Sequence, residues 1–235
     1  MVVFIMTLIK HLLNKNKREI NLVDKKLKLI VFIIFNNMNT MEMNTLRERV
    51  NWAMNPYKNG IVFSRAMLVP EDDLSANELR LKANQEEKRW GNKMIGQESN
   101  GNWTTLLGEN LVRDILAKKG LNPRKPAKKS HYQPDWETDH YIWEVKTRNW
   151  TTSGTAGEKV FGVPYKYSDV PILYGKQLRI VCVAYQEHEL TYGNTKIFAE
   201  ENKISYYKQK MLDLWKEMGI EFVKFSDLVK GVDLD

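Results

Sequence analysis

An α/β fold, with a central mixed sheet flanked by helices, is the expectation for this chain, and three stretches carry it. From Tyr141 to Thr147 the side chains alternate, with Tyr141, Trp143 and Val145 on one face and Ile142, Glu144 and Lys146 on the other. Leu178 to Tyr185, apolar apart from Arg179, reads as a central buried strand. Helical spacing marks Leu107, Leu111 and Ile115 in one segment and Tyr207, Met211, Leu214 and Trp215 in another.

Taken in order, the elements divide the chain into residues 1–40, 41–100 and 101–235. With 235 residues and 43% hydrophobic content, one substantial core is expected. The first 40 residues differ from the rest: two apolar runs, Met1 to Ile9 and Leu29 to Phe35, enclose an Asn- and Lys-rich spacer. Neither run approaches the ~18 to 20 apolar residues needed to cross a bilayer. The order of apolar run and lysines is also the reverse of a secretory signal. This segment is read as an upstream extension, with the functional chain beginning near Met38, Met41 or Met43; a poorly ordered arm or a weak membrane-surface segment is the other reading.

Leu46 to Met54 is expected to be a short helix, followed after Glu71-Asp72-Asp73 by a scaffold helix from Ser75 to about Trp90 with Leu79 and Ala83 inward. Asn92 to Asn102 reads as a loop. Thr104 or Thr105 is expected to cap the next helix and Gly120 to end it. The polar run Glu137-Thr138-Asp139-His140 supplies a hairpin turn. Pro164 and Pro171 break the following region into short helical pieces. After the buried strand come a polar stretch from Gln186 to Asn194, a helix from about Lys203 to Met218, and a closing strand near Glu221 to Phe225.

The chemistry concentrates in the hairpin. Folding back across its turn brings Asp135 beside Glu144, with Lys146 on the same face as Glu144. Hard divalent cations such as Mg²⁺ bind through one or two carboxylates plus waters and phosphate oxygens. Lys146 is then placed to orient or activate an attacking water and to stabilise charge on a phosphate.

At these residues the chain resembles a known family. Pro134-Asp135 followed by Glu144-Val145-Lys146 is similar to the PD-(D/E)XK nuclease superfamily, the fold of many type II restriction endonucleases. Gly108 to Asp114 resembles the helix that adds a further acid in many members, here Glu109. Thr152 to Lys159 and Val163 to Tyr167 resemble restriction enzymes of large DNA viruses of algae. The resemblance spans about residues 100 to 230 by the element order expected for that fold. It implies a restriction-endonuclease-like αβββαβ core, catalytic residues Asp135, Glu144, Lys146 and Glu109, and metal contact at Asp135, Glu144 and Val145. It also implies Mg²⁺ with Mn²⁺ as a substitute, and double-stranded DNA cut to 5′-phosphate and 3′-hydroxyl ends. A homodimer, a cognate DNA methyltransferase acting on the same sites, and an intracellular, cytoplasmic setting in a host cell follow from it too. A structure-specific repair or replication nuclease of the same fold, or an inactive DNA-binding protein, are the alternatives.

Bland readings stand beside these. With 28% charged residues, an acid two before a lysine arises readily, and Asp24-Lys25-Lys26, Glu86-Glu87-Lys88 and Glu201-Asn202-Lys203 repeat the triplet without a preceding Pro-Asp pair. Glu109 precedes Arg113 by four residues, a spacing that equally makes a surface ion pair. The charge of +7 leaves residues 1–40 at +5 and the remainder at only +2, so global basicity says little about DNA binding. The local run from Arg113 to Lys129 says more, and Arg124, Lys125, Lys128, Lys129 and, further on, Lys159 are the candidate phosphate contacts. Trp150 and Lys166 are candidates by position alone, against core packing and solvation.

Gly154 to Lys159 fails the phosphate-loop pattern, since Glu158 and Val160 flank the lysine. The four histidines show no zinc spacing, and His131 and His140 read as exposed turn residues. Cys182, the single cysteine, reads as a small core residue in a reducing compartment.

Overall fold

Strand β2 (Tyr141–Arg148) organises the computed structural model, which describes residues 46–54, 75–151, 155–194, 196–200 and 203–234. The two-residue β1 (Trp136–Glu137) pairs with it antiparallel, while β3 (Gln177–Ala184) and β4 (Ile220–Lys224) continue the sheet in parallel. The order β1-β2-β3-β4 makes a mixed, four-stranded sheet. Expectations for residues 1–40, for Glu71-Asp72-Asp73 and for Thr152 to Gly154 fall outside the described residues.

Alternation along the strands builds two cores. Trp143, Val145, Val181 and Val183 face one layer, where they meet helices α1 (residues 46–54), α2 (Ala76–Met94) and α3 (Trp103–Lys118). Leu107, Leu111, Val112, Ile115 and Leu116 on α3 are completely buried there, each contributing on the order of 1.5–3 kcal/mol. Ile142, Leu178, Ile180 and Cys182 face the opposite layer. That layer is built from a 3₁₀ turn (Thr155–Phe161), α4 (Gly162–Lys166), α5 (Val170–Tyr174), α6 (Tyr185–Tyr192) and α7 (Tyr206–Glu217). The last helix, α8 (Phe225–Val229), returns to the first layer through Phe225 and Leu228. Burial on both faces explains why β3 is nearly continuous in apolar residues.

Several boundaries differ from expectation. Ser75 does cap α2, in a reciprocal box with Glu78, but the helix continues to Met94 and absorbs the start of the expected loop. α3 begins at Trp103, which leaves Thr104 and Thr105 inside its first turn with no capping role. Packing sets that start: Trp103 is buried against Trp52, and a Cβ on Gly91 would lie 2.0 Å from its ring. Gly120 ends α3 as expected, at φ 72°. The polar stretch after β3 is helix α6, whose Leu190 is buried while most of its polar residues stay accessible.

The stripe expected for α7 is misplaced. Of its residues only Trp215 reaches the core, joined there by Leu212, while Tyr207, Met211 and Leu214 are exposed. The core-facing side is thus centred on Leu212 and Trp215, about 100° round the helix from Met211 and Leu214. No helix among the described residues is long and apolar enough to cross a membrane.

Candidate active site

The register of the hairpin decides where its acids meet. Trp136 pairs with Trp143 and Glu137 with Ile142, so Asp135, the next residue outward, stands opposite Glu144. Asp135 N–H donates to the Trp143 carbonyl at 3.1 Å, and Asp135 Oδ2 accepts the Val145 N–H at 2.7 Å. Thr138 closes the turn through its N–H to the Tyr141 carbonyl and accepts the Trp143 Nε1–H at 3.0 Å. β1 includes Glu137, so the turn is one residue shorter than the polar run.

Glu144 and Lys146 point the same way, as the alternation predicts. Lys146 Nζ donates to Glu144 Oε1 at 2.5 Å, with the carboxylate buried and the ammonium one-third exposed. The other oxygen, Glu144 Oε2, is buried without a hydrogen-bond partner. Burial first, and then the Glu144 charge, push the Asp135 carboxyl up to about 7; Glu109 adds to the rise, and Lys146 opposes it. Three acids and a lysine therefore share one electrostatic neighbourhood.

Glu109 reaches it because α3 lies unusually close to β2. A Cβ on Gly108 would sit 1.7 Å from the Thr147 hydroxyl, so only glycine permits the approach. Trp136 Nε1–H also donates to the Glu109 carbonyl at 2.9 Å, fastening the helix to the hairpin. The surface pair with Arg113 does not form: Arg113 binds Asp114 at 2.7 Å, and Glu109 instead has Lys125 at 3.5 Å.

Tyr167 is a site residue that sequence reasoning missed. It is buried at the end of α4, and its phenol is held protonated by burial and by the adjacent Glu144 carboxylate. The prolines located this helical piece but gave no sign that it turns back over β2.

The donor set fits a hard cation. Two carboxylates converge, and Val145 can add only its main-chain carbonyl. Among the described residues no three His, Cys, Asp or Glu form a protein-only metal cage. Such a sparse set suits Mg²⁺, which retains waters and shares its ligands with phosphate, and it does not suit structural zinc. A cation between the two carboxylates would offset the buried Glu144 charge, which has Lys146 and the Tyr167 phenol beside it, and the cost that raises the Asp135 carboxyl.

The basic candidates separate into two groups. Arg124 binds Asp139 at 3.0 Å and Glu137 at 3.3 Å, Lys125 lies 4.0 Å from the Trp136 ring centre, and Lys129 donates to the Leu173 carbonyl at 2.8 Å. These three brace the approach to the hairpin. Lys128 and Lys159 are exposed. Trp150 serves packing, with its Nε1–H on the Trp52 carbonyl at 2.9 Å. His131 and His140 are exposed, and Cys182 is fully buried, its thiol pushed up by that burial.

No family model, curated protein or solved structure matches the chain. The assignment of a function therefore depends on the geometry above.

Proposed function

We propose that the chain is a Mg²⁺-dependent DNA endonuclease of the PD-(D/E)XK type, with Asp135, Glu144, Lys146 and Glu109 as its active site. The observation that supports this most is the placement of a half-buried Asp135, its carboxyl pushed up to about 7, opposite the buried Glu144, with Lys146 on the same strand face as Glu144. A cation held by Asp135, Glu144 and the Val145 carbonyl would acidify a water and offset charge on the phosphate. Mn²⁺ could replace Mg²⁺ on the same oxygens.

Lys146 stands ready to hold the attacking water or a phosphate oxygen through its ammonium, since Glu144 already orients it. Glu109 extends the acidic wall and can accept a hydrogen bond from a water. Of the candidate phosphate contacts, all of them exposed, Lys128 and Lys159 are the two proposed to meet DNA phosphates. Among the described residues two strands, β1 and β2, follow α3 before the chain turns helical, and β3 comes only after those helical pieces, so the order departs from αβββαβ and this reading stands on the acids of the hairpin.

Within this class, a type II restriction enzyme is the preferred reading: a C₂ homodimer cutting a short palindrome inside a host cell, paired with a methyltransferase acting on the same sites. The test is incubation with long unmethylated DNA, with and without Mg²⁺, followed by sequencing of the ends. Discrete bands with uniform 5′-phosphate ends are expected. Cutting confined to branches or free ends would favour a repair nuclease, and no cutting would leave a binding protein.

A further inference from the structure

A cavity of about 270 Å³ opens at the carboxyl ends of β3 and β4, where Ala184 and Lys224, the last residue of each strand, line it. It shares no residue with the hairpin site, and sheets with parallel strands commonly hold ligands at this edge. Ala184 turns the chain directly into α6 at φ 57°, a strained conformation for a residue other than glycine. The turn sets His188 and Tyr192, four residues apart and so on one face of α6, along the cavity. Four rings form a ladder there. Trp150 meets Tyr185 at 5.8 Å and His188 at 5.7 Å, edge-on in both cases, while Tyr185 stacks on His188 at 5.5 Å and His188 reaches Tyr192 at 4.9 Å. The Trp150 indole is anchored on the Trp52 carbonyl at one end, and at the other Tyr192 is 71% exposed. The core does not use the outer rings, since Leu190 is the apolar side chain of α6 that is buried.

We propose that this cavity binds a nucleotide, with its base against His188 and Tyr192, its phosphate on Lys224 and an N–H edge of the base on Glu187. Each part of the lining selects one part of that ligand. Exposed rings offer a stacking face to a planar heterocycle. Lys224 is half-buried, its ammonium lies 5.6 Å from the Phe198 ring centre, and among the described residues no carboxylate pairs with it, so an anion is the partner it lacks. The Glu187 carboxylate is held by the Ser226 N–H at 2.9 Å and by the Ser226 hydroxyl, and its remaining lone pairs can accept from an amino group of a base. At 270 Å³ the space is just below the ~300 Å³ at which sites for drug-sized ligands begin, which suits one nucleotide and not a dinucleotide. That nucleotide is either free or one unit of a single strand, since both present the same base and phosphate.

The test is calorimetry of the full chain in chelator with 2′-deoxyadenosine 5′-monophosphate, deoxyadenosine, 2-deoxyribose 5-phosphate and a hexanucleotide of deoxyadenosine. The monophosphate should bind with a Kd below about 1 mM, and about tenfold or more tighter than either the nucleoside or the sugar phosphate. Tyr192→Ala should weaken it about tenfold with an unchanged thermal midpoint, because the ring it removes is exposed. Lys224→Met should erase the advantage of the monophosphate over the nucleoside. No saturable binding of the monophosphate, unaltered affinity in Tyr192→Ala, or an advantage that survives Lys224→Met would each overturn the proposal. A hexanucleotide that binds tighter than the monophosphate, and loses that margin in Tyr192→Ala, supports the site with a strand as its source; equal or weaker binding supports it with the free nucleotide. Chelator prevents metal-dependent cutting throughout, so the outcome is independent of whether the chain cuts DNA.

Discussion

Asp135 Oδ2 accepts the main-chain N–H of Val145 at 2.7 Å, and this bond holds the first acid of the site against the strand that carries the second. It opposes the rise in the Asp135 carboxyl, yet burial and Glu144 outweigh it. The site is therefore built against its own charge.

A pH dependence follows. With its folded pKa raised from 3.8 to about 7, Asp135 keeps its proton in the folded chain where the unfolded chain has released it. Stability of the cation-free protein should then fall as pH rises from about 4 to 7 and level off above that. Asp135→Asn should flatten this slope and stabilise the cation-free chain at pH 8 by about 1–3 kcal/mol, measured by denaturant unfolding in chelator. An unchanged slope would show that Asp135 does not titrate in that range.

Cation binding should show the complementary behaviour. Below pH 7 the cation must displace a proton from Asp135, so calorimetry should record proton release and weaker Mg²⁺ binding at pH 6 than at pH 8. Glu144→Gln should weaken binding at both values.

Gly108→Ala tests how Glu109 is brought to the site. The new Cβ would collide with Thr147, and separation of α3 from β2 should cost about 2–4 kcal/mol by denaturant unfolding. Adding Thr147→Ala should recover only part of that loss, because the Thr147 Cβ itself lies 2.7 Å away.

Glu87 illustrates what the sequence concealed. Its triplet, Glu86-Glu87-Lys88, served as a chance match to the catalytic pattern, yet Glu87 is completely buried and accepts from Trp52 Nε1, Asn149 Nδ2, Trp150 N, Thr151 N and Thr151 Oγ1. It ties α2 to the chain leaving β2. Glu87→Ala strands these donors and should destabilise the fold by about 3 kcal/mol or more, read as a lowered thermal midpoint.

Patterns that depend on neighbouring residues were legible in the sequence. The period of two in β2 placed Glu144 with Lys146, and the apolar run of β3 announced a strand buried on both faces. Features set by distant partners were not. The closeness of α3 to β2 depends on Gly108 meeting Thr147, and the position of Tyr167 depends on how α4 crosses the sheet. α7 misled for a related reason: its strongest apolar stripe faces outward, and periodicity alone cannot tell a core from another binding surface.

The basic residues carry a further prediction. Lys128→Ala should reduce the salt dependence of DNA binding by about one unit of slope without affecting stability. Arg124→Ala should act chiefly on stability, since its guanidinium bridges Glu137 and Asp139. Filter binding across a salt series, with thermal unfolding of both variants, separates the two roles.

The most direct test of the central claim is single-turnover cleavage of unmethylated DNA by Lys146→Ala in saturating Mg²⁺. Loss of cutting by about a thousandfold, with DNA binding retained, is the predicted result. Metal-dependent cutting at the wild-type rate in that variant would contradict the assignment of this hairpin as the active site.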